Sequence, residues 1–256
     1  MRYKGGFNTY GVSIGVLIVN KPFPRPPGDA GNATTFDFPV RYRVVKESTG
    51  DRHRKGDPAL LEPFIKAAKE LEAEGVKAIC TTCGFLGVFQ RELAAAISVP
   101  VFASSLLQIP MISRMLRPDQ KVGILTADAS NFGERLLEGV GAKGVPVVVR
   151  GLEDKQEFRE GILVGRDWLD VRQVEQEVVS AAKEMDVEKA AVEVAAVGRK
   201  MLAEEPSIGA FVMESACLPP YSKALRDATG LPVFDFITLI NWVYSAVVQR
   251  TYAGYL

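Results

Sequence analysis

Val99-Pro100-Val101-Phe102 returns 132 positions later as Leu231-Pro232-Val233-Phe234, and this repetition decides the fold. Under the same displacement Phe89 meets Tyr221, Leu93 meets Leu225, Ala96 meets Ala228 and Leu107 meets Leu239, without a gap. One strand–helix–strand unit is used twice. Outward from it, apolar runs alternate with helical patterns from end to end, which argues for βα units around parallel sheets. The first run, Val12 to Asn20, ends in the proline-rich loop Lys21 to Gly31, and a strand is expected at Arg41 to Val45. A helix from Pro58 to Glu74 sets Leu61, Ile65, Ala68 and Leu71 on one face. The strand Val76 to Thr82, a helix from Phe85 to Ile97, a short strand at Val101 and a helix from Ser105 to Leu116 follow.

Val122-Gly123-Ile124-Leu125-Thr126 then echoes Ile14-Gly15-Val16-Leu17-Ile18. After it come a helix (Asn131 to Gly139), a strand (Val145 to Val149) and a mixed-charge helical stretch reaching Glu205. A strand at Ile208 to Glu214, a helix at Pro220 to Thr229, a strand at Val233-Phe234 and a closing helix to about Arg250 complete the chain. The expected architecture is α/β, with two pseudo-symmetric lobes, each a parallel sheet flanked by helices, and the active site in the cleft between them. Residues 1–118, joined by the C-terminal helix 236–256, would form the first lobe and 119–235 the second. Ligands in open parallel sheets bind beyond the carboxyl ends of the strands.

Lys and Arg total 31, as do Asp and Glu, so no nucleic-acid footprint is visible. No apolar run approaches the roughly 18 residues of a membrane helix, and the N-terminus lacks a signal-peptide stretch. Three cysteines without scaffold spacing suit a reducing cytoplasm. His53 is the only histidine; within Asp51-Arg52-His53-Arg54-Lys55 it reads as a solvated loop residue. Cys80-x-x-Cys83 has neither a second pair nor a nearby histidine to complete a zinc set. Gly139-Val-Gly141-Ala-Lys-Gly144 follows a helix and precedes a strand, the reverse of a dinucleotide fingerprint.

Chemistry concentrates at two turns. The first reads Cys80-Thr81-Thr82-Cys83-Gly84-Phe85-Leu86, with Cys83 at the strand tip. Gly84 would let a ligand approach the backbone, and amides at a helix start would lower the thiol pKa towards neutrality. A thiol so poised exchanges protons near pH 7; the alternative is a cysteine that packs as a small apolar group. Cys80 reads as core. The second turn is Met213-Glu214-Ser215-Ala216-Cys217-Leu218-Pro219-Pro220-Tyr221.

The first turn, with Phe89-Gln90 and Val99-Pro100-Val101-Phe102-x-Ser104-Ser105-Leu106, resembles the aspartate/glutamate/hydantoin racemase superfamily. So do Met213-Glu214, Leu218-Pro219-Pro220-Tyr221 and Gly230-Leu231-Pro232-Val233-Phe234-Asp235, and the resemblance runs from Val12 to Trp242. It implies a fold of two pseudo-symmetric lobes and chemistry with no metal and no cofactor. Two cysteines would flank the substrate carbon, while backbone amides and small hydroxyl residues beside them hold a carboxylate. On that basis Cys83 and Cys217 are the expected acid/base pair. Thr82, Gly84, Phe85, Ser215 and Ala216 are the expected substrate contacts, with Ser104 and Thr126 lining the cleft; Thr126 also reads as an ordinary strand threonine.

One departure matters. The family pattern carries its second cysteine directly after the glutamate, where this chain has Ser215, and the internal repeat independently pairs Cys83 with Ser215. A hydroxyl is a far weaker acid than a thiol and does not simply replace it. Three readings stay open: a rearranged turn brings Cys217 to the substrate, Cys83 works alone, or the chain binds without turnover. The leading expectation is a cofactor-independent amino-acid or hydantoin racemase, an isomerase of amino acid metabolism acting on a small carboxylate. The alternatives are a single-cysteine decarboxylase or cis–trans isomerase and a non-catalytic two-lobed binding protein. A homodimer or higher oligomer is expected as a prior. Arg25, Arg41 and Arg43 read as solvated charges.

Overall fold

The computed structural model describes residues 5–49, 52–163 and 184–254. The chain forms two four-stranded sheets, ordered β2-β1-β3-β4 and β6-β5-β7-β8, with every neighbouring pair parallel. In the first, β1 is Ile14–Val19, β2 Val40–Val45, β3 Ala78–Thr81 and β4 Val101–Phe102. In the second, β5 is Lys121–Thr126, β6 Val147–Gly151, β7 Ile208–Met213 and β8 Val233–Phe234. The central strands β1, β3, β5 and β7 are buried on both faces, which explains their almost unbroken apolar sequence.

The sequence repeat is a repeat of register. Ile79 pairs with Val101 and Cys80 with Phe102; Phe211 pairs with Val233 and Val212 with Phe234, each residue displaced by the same 132 positions. The strand-tip amides match too: Thr82 N donates to Leu17 O at 3.1 Å, and Glu214 N to Leu125 O at 2.8 Å.

One apolar cluster unites the inner faces of both sheets, joining Ile79, Leu86 and Ile109 to Val122, Ile124, Ala210 and Val212. A second packs the outer face of the second sheet against the helix Val187–Glu204 through Val194 and Met201. The C-terminal helix, Phe236–Val247, returns to cover the first sheet, with Phe236, Leu239 and Ile240 against Ile14, Val16 and the fully buried Cys80. A capping box fixes its start: Asp235 Oδ1 accepts from Thr238 N at 2.8 Å while Thr238 Oγ1 accepts from Asp235 N at 2.9 Å.

Several expected helices begin as 3-10 turns, at Pro58–Leu60, Gly84–Phe89 and Ser105–Gln108, before settling into α geometry. Of the mixed-charge stretch from 151 to 205, residues 164–183 lie outside the described residues. Arg25 differs from the solvated charge expected: it is mostly buried and pairs with the fully buried Asp29 at 2.8 Å. Arg41 and Arg43 pair with Glu74 near the surface. Among the described residues no helix is long and apolar enough to cross a membrane.

Candidate active site

In each sheet the chain leaves the first central strand towards one edge and later returns on its other side, so the crevices between β1 and β3 and between β5 and β7 are topological switch points. The four carboxyl ends there converge on one cavity with about 410 Å³ of empty space, counting its open mouth. Lys21 and Phe23 come from beyond β1, Thr82 and Cys83 from β3, Ala127 and Asp128 from β5, and Glu214, Ser215 and Cys217 from β7. His53 and Arg54 form part of its polar wall, and Ile162 and Leu163 part of its apolar wall.

The two central tips touch directly. Cys83 and Ser215 form an isolated antiparallel β-bridge, joining the two positions that the repeat makes equivalent. Ser105 braces the contact, its Oγ lying 2.8 Å from Met213 O and 2.9 Å from Glu214 O. At the first tip, Thr82 Oγ1 accepts from Val19 N at 3.2 Å and locks β3 to β1. At the second, Leu218 N donates to Ser215 O at 3.1 Å, a tight turn that carries Cys217 to the same cavity as Cys83. Ser215 Oγ and Cys217 Sγ stand 3.1 Å apart.

Burial dominates the electrostatics. It pushes the Cys83 thiol well above its ordinary pKa, and the neighbouring Glu214 adds to the rise; the Phe85 amide and Arg54 oppose it less strongly. The expected drop towards neutrality is therefore not found, because a short 3-10 turn follows Cys83 and its few amides do not offset desolvation. Cys217 is likewise pushed up to about 12, by burial first and then by Asp29. Glu214, 1 % exposed, is raised by burial to about 7, although Thr126, Arg54 and the Phe85 and Gly84 amides pull it down. Thr126 Oγ1 donates to Glu214 Oε2 at 2.8 Å.

His53 corrects the solvated-loop reading. It is 4 % exposed, lines the cavity, and burial together with Lys21 and Arg54 lowers its pKa to about 3, so it is neutral at physiological pH. Beside it Arg54 Nη1 and Asp128 Oδ2 form a buried ion pair at 3.0 Å that ties the loop of the first sheet to the tip of β5. Breaking such a pair typically costs about 3–5 kcal/mol, because one buried charge is left uncompensated.

Of the residues singled out from sequence, Thr82, Cys83, Phe85, Ser215 and Cys217 line the cavity. Gly84, Ala216, Ser104 and Thr126 are buried but not among its walls. Ser104 caps the following turn by accepting from Leu106 N, and the Thr126 hydroxyl donates to Glu214. The close approach at Gly84 is made by Glu214: a Cβ there would stand 2.4 Å from Glu214 O and 2.5 Å from Glu214 Oε1. Sequence reasoning passed over Glu214, Asp128, Arg54 and Lys21. A signal for Glu214 existed, since it is an ionisable residue closing an all-apolar strand at the position the repeat pairs with Thr82. His53 and Arg54 gave none, as their loop has no apolar periodicity.

Two parallel four-stranded sheets whose central tips face one cavity are the fold of the aspartate/glutamate/hydantoin racemase superfamily. Unliganded arylmalonate decarboxylase matches with a TM-score of 0.59 at 14% identity, covering 95% of each chain. An aspartate racemase homologue from Pyrococcus horikoshii OT3 matches with a TM-score of 0.53 at 17% identity, covering 92% of this chain and 98% of that one. Within that fold the chain belongs to the dimethylsulfoniopropionate lyase family. A dimethylsulfoniopropionate lyase of Durusdinium sp. clade D is 31% identical over 252 residues, covering 94% of this chain and 77% of that protein. Dimethylsulfoniopropionate lyase 7 of Emiliania huxleyi (strain CCMP1516) is 32% identical over 249 residues, covering 94% of this chain and 69% of that protein. No family model matches the chain. These relatives overturn the racemase, the isomerase class and the assignment to amino acid metabolism; the single-thiol alternative lies closer to a lyase than the two-thiol racemase does.

Proposed function

We propose that this protein is a lyase acting on dimethylsulfoniopropionate or a close β-sulfonio carboxylate, with Cys83 as the group that removes the proton beside the carboxylate. The observation that carries the reading is its membership in a family whose members bear that name, together with a thiol at the β3 tip facing a cavity of mixed charge.

The substrate's structure dictates the chemistry. Its carboxylate acidifies the adjacent α-carbon, and the β-carbon carries a positively charged sulfonium. Removing the α-proton lets the C–H electrons form a C=C bond while the C–S electrons leave on sulfur, giving acrylate and dimethyl sulfide. Lys21 suits the carboxylate end. Phe23, Phe85, Ile162 and Leu163 suit the methyl groups of the cationic end. Charge developing on the carboxylate as the proton leaves is the kind that preorganised donors stabilise most.

The departure at Ser215 then has a physical rationale. A racemase returns a proton to the opposite face of the same carbon and needs a second acid there. Dimethyl sulfide leaves as a neutral thioether, and its elimination requires no proton donor on that side. Three free cysteines support a cytoplasmic, reducing setting.

Purified protein incubated with dimethylsulfoniopropionate tests the reading. Equimolar dimethyl sulfide in the headspace and acrylate in the proton NMR spectrum are the expected result. Binding of the substrate without either product would leave a non-catalytic cavity and overturn it.

A further inference from the structure

We propose that Glu214 is the proton acceptor behind Cys83, taking the thiol's proton as the Cys83 sulfur takes the α-proton of the substrate. This rests on the lyase reading and adds a second residue, from the other sheet, to the reacting centre.

Glu214 directly follows β7, forms part of the cavity wall and is 1 % exposed. Thr126 holds one carboxylate oxygen, Oε2, at 2.8 Å. The other, Oε1, makes no hydrogen bond of good geometry among the described residues, although the Gly84 and Phe85 amides face the carboxylate. A buried acceptor left open in this way costs stability and calls for an explanation. Its surroundings supply one. The β-bridge between Cys83 and Ser215 sets Glu214 beside Gly84, and only a residue without Cβ leaves room for Oε1 there. The negative charge of Glu214 disfavours ionisation of the Cys83 thiol, so the thiol stays protonated beside an ionised Glu214.

The other ionisable groups of the cavity serve less well. Asp128 is committed to Arg54 at 3.0 Å and to Ser130 N at 2.9 Å. His53 resists protonation down to about pH 3, and the Cys217 thiol ionises only at about 12. Lys21 and Arg54 are cations. Glu214, at about 7, is matched to accepting a proton at neutral pH.

The step balances. As the sulfur of Cys83 receives the α-proton, its own S–H proton moves to Glu214; the C–H pair becomes the C=C bond and the C–S pair leaves with dimethyl sulfide. Cys83 ends as a neutral thiol. Glu214 ends protonated and returns its proton to water through the open mouth.

The test combines two readouts on the intact protein. The first is the pH profile of kcat/KM for dimethyl sulfide release. The wild type should lose activity below about pH 7, and Glu214→Gln should fall on the order of 100-fold with that limb gone. Thr126→Val, which removes a donor from the carboxylate, should move the limb to higher pH. The second readout needs no substrate: the pH midpoint for iodoacetamide alkylation of Cys83, followed by mass spectrometry. In Glu214→Gln this midpoint should fall, since a negative neighbour is gone, giving a more reactive thiol in a slower enzyme. Glu214→Gln within about threefold of wild type, with its acid limb intact, would overturn the proposal, as would an alkylation midpoint that does not move. A wild type that releases no dimethyl sulfide would remove the lyase reading instead, and the alkylation midpoint would still decide whether Glu214 acts on the Cys83 thiol.

Discussion

The tips of β3 and β7 are the same backbone carrying different chemistry. Thr82, Cys83, Gly84 and Phe85 correspond one for one with Glu214, Ser215, Ala216 and Cys217. Both segments hang from equivalent amide-to-carbonyl bonds and meet at the Cys83–Ser215 bridge. A thiol stands at the first tip. The second supplies a carboxylate, a hydroxyl and a thiol two residues out of register. A symmetric frame thus presents an asymmetric site, in keeping with the proposed elimination, which removes one proton and returns none to the opposite face.

The largest effect should come from the residue that breaks the symmetry. Cys83→Ala is expected to lower the rate of dimethyl sulfide release by about 10³–10⁴-fold. Its thermal unfolding should stay close to wild type, since a small buried side chain is exchanged for a smaller one.

Next comes the pH dependence of stability, set by the carboxylate that only the second tip carries. Unfolded, Glu214 ionises near 4.5; folded, near 7. Between those values the unfolded chain sheds a proton that the folded chain keeps, so stability falls as pH rises from 4.5 to 7, by on the order of 3 kcal/mol. His53 works in the opposite sense. The unfolded chain takes up a proton below 6.5 that the folded chain refuses until about 3, so stability also falls as pH drops through that window. These two groups together place the optimum near pH 5–6. Thermal melts at pH 5.5 and 8 should show a lower midpoint at pH 8 for wild type and the reverse order for Glu214→Gln, where only the His53 contribution is left; the same order and size in both would refute the assignment.

The pair Gly84 and Ala216 gives a smaller contrast. The Gly84→Ala methyl would collide with Glu214 and should cost about 1–3 kcal/mol, with a loss of turnover beyond what the fold loses. Ala216→Gly, at the equivalent place, removes only a buried methyl and should cost about 1 kcal/mol with the rate kept. Similar behaviour in both, by calorimetry and assay, would mean that the packing of Glu214 is not what Gly84 protects.

The smallest effect is expected for Cys217→Ala, within about tenfold of wild type, since a neutral leaving group needs no second acid. A loss as deep as that of Cys83→Ala would restore a two-thiol mechanism.

Much of this was legible in the amino-acid order. The repeat around Val99–Phe102 and Leu231–Phe234 carried the two-sheet architecture, because buried parallel strands leave continuous apolar runs and their register is fixed by residues far along the chain. Cys83 stood out because it ends such a run beside a glycine. What escaped was everything supplied by loops. His53 and Arg54 look like a solvated charge cluster, and only the tertiary fold closes them over the cavity, where Asp128 offsets Arg54 and burial keeps His53 neutral. The thiol's pKa was misjudged for a related reason: helix-start amides can be read from a pattern, whereas desolvation depends on the opposing sheet. The reaction type was misread too, since one fold hosts several chemistries and motif order alone did not separate them.

The most direct test is the rate of dimethyl sulfide release from substrate carrying deuterium at the α-carbon, compared with the protium form, in wild type and in Cys83→Ser. The account predicts a primary isotope effect in wild type and no measurable release by the variant. A Cys83→Ser enzyme that keeps the wild-type rate and isotope effect would show that another group removes the proton and would contradict the central role given to Cys83.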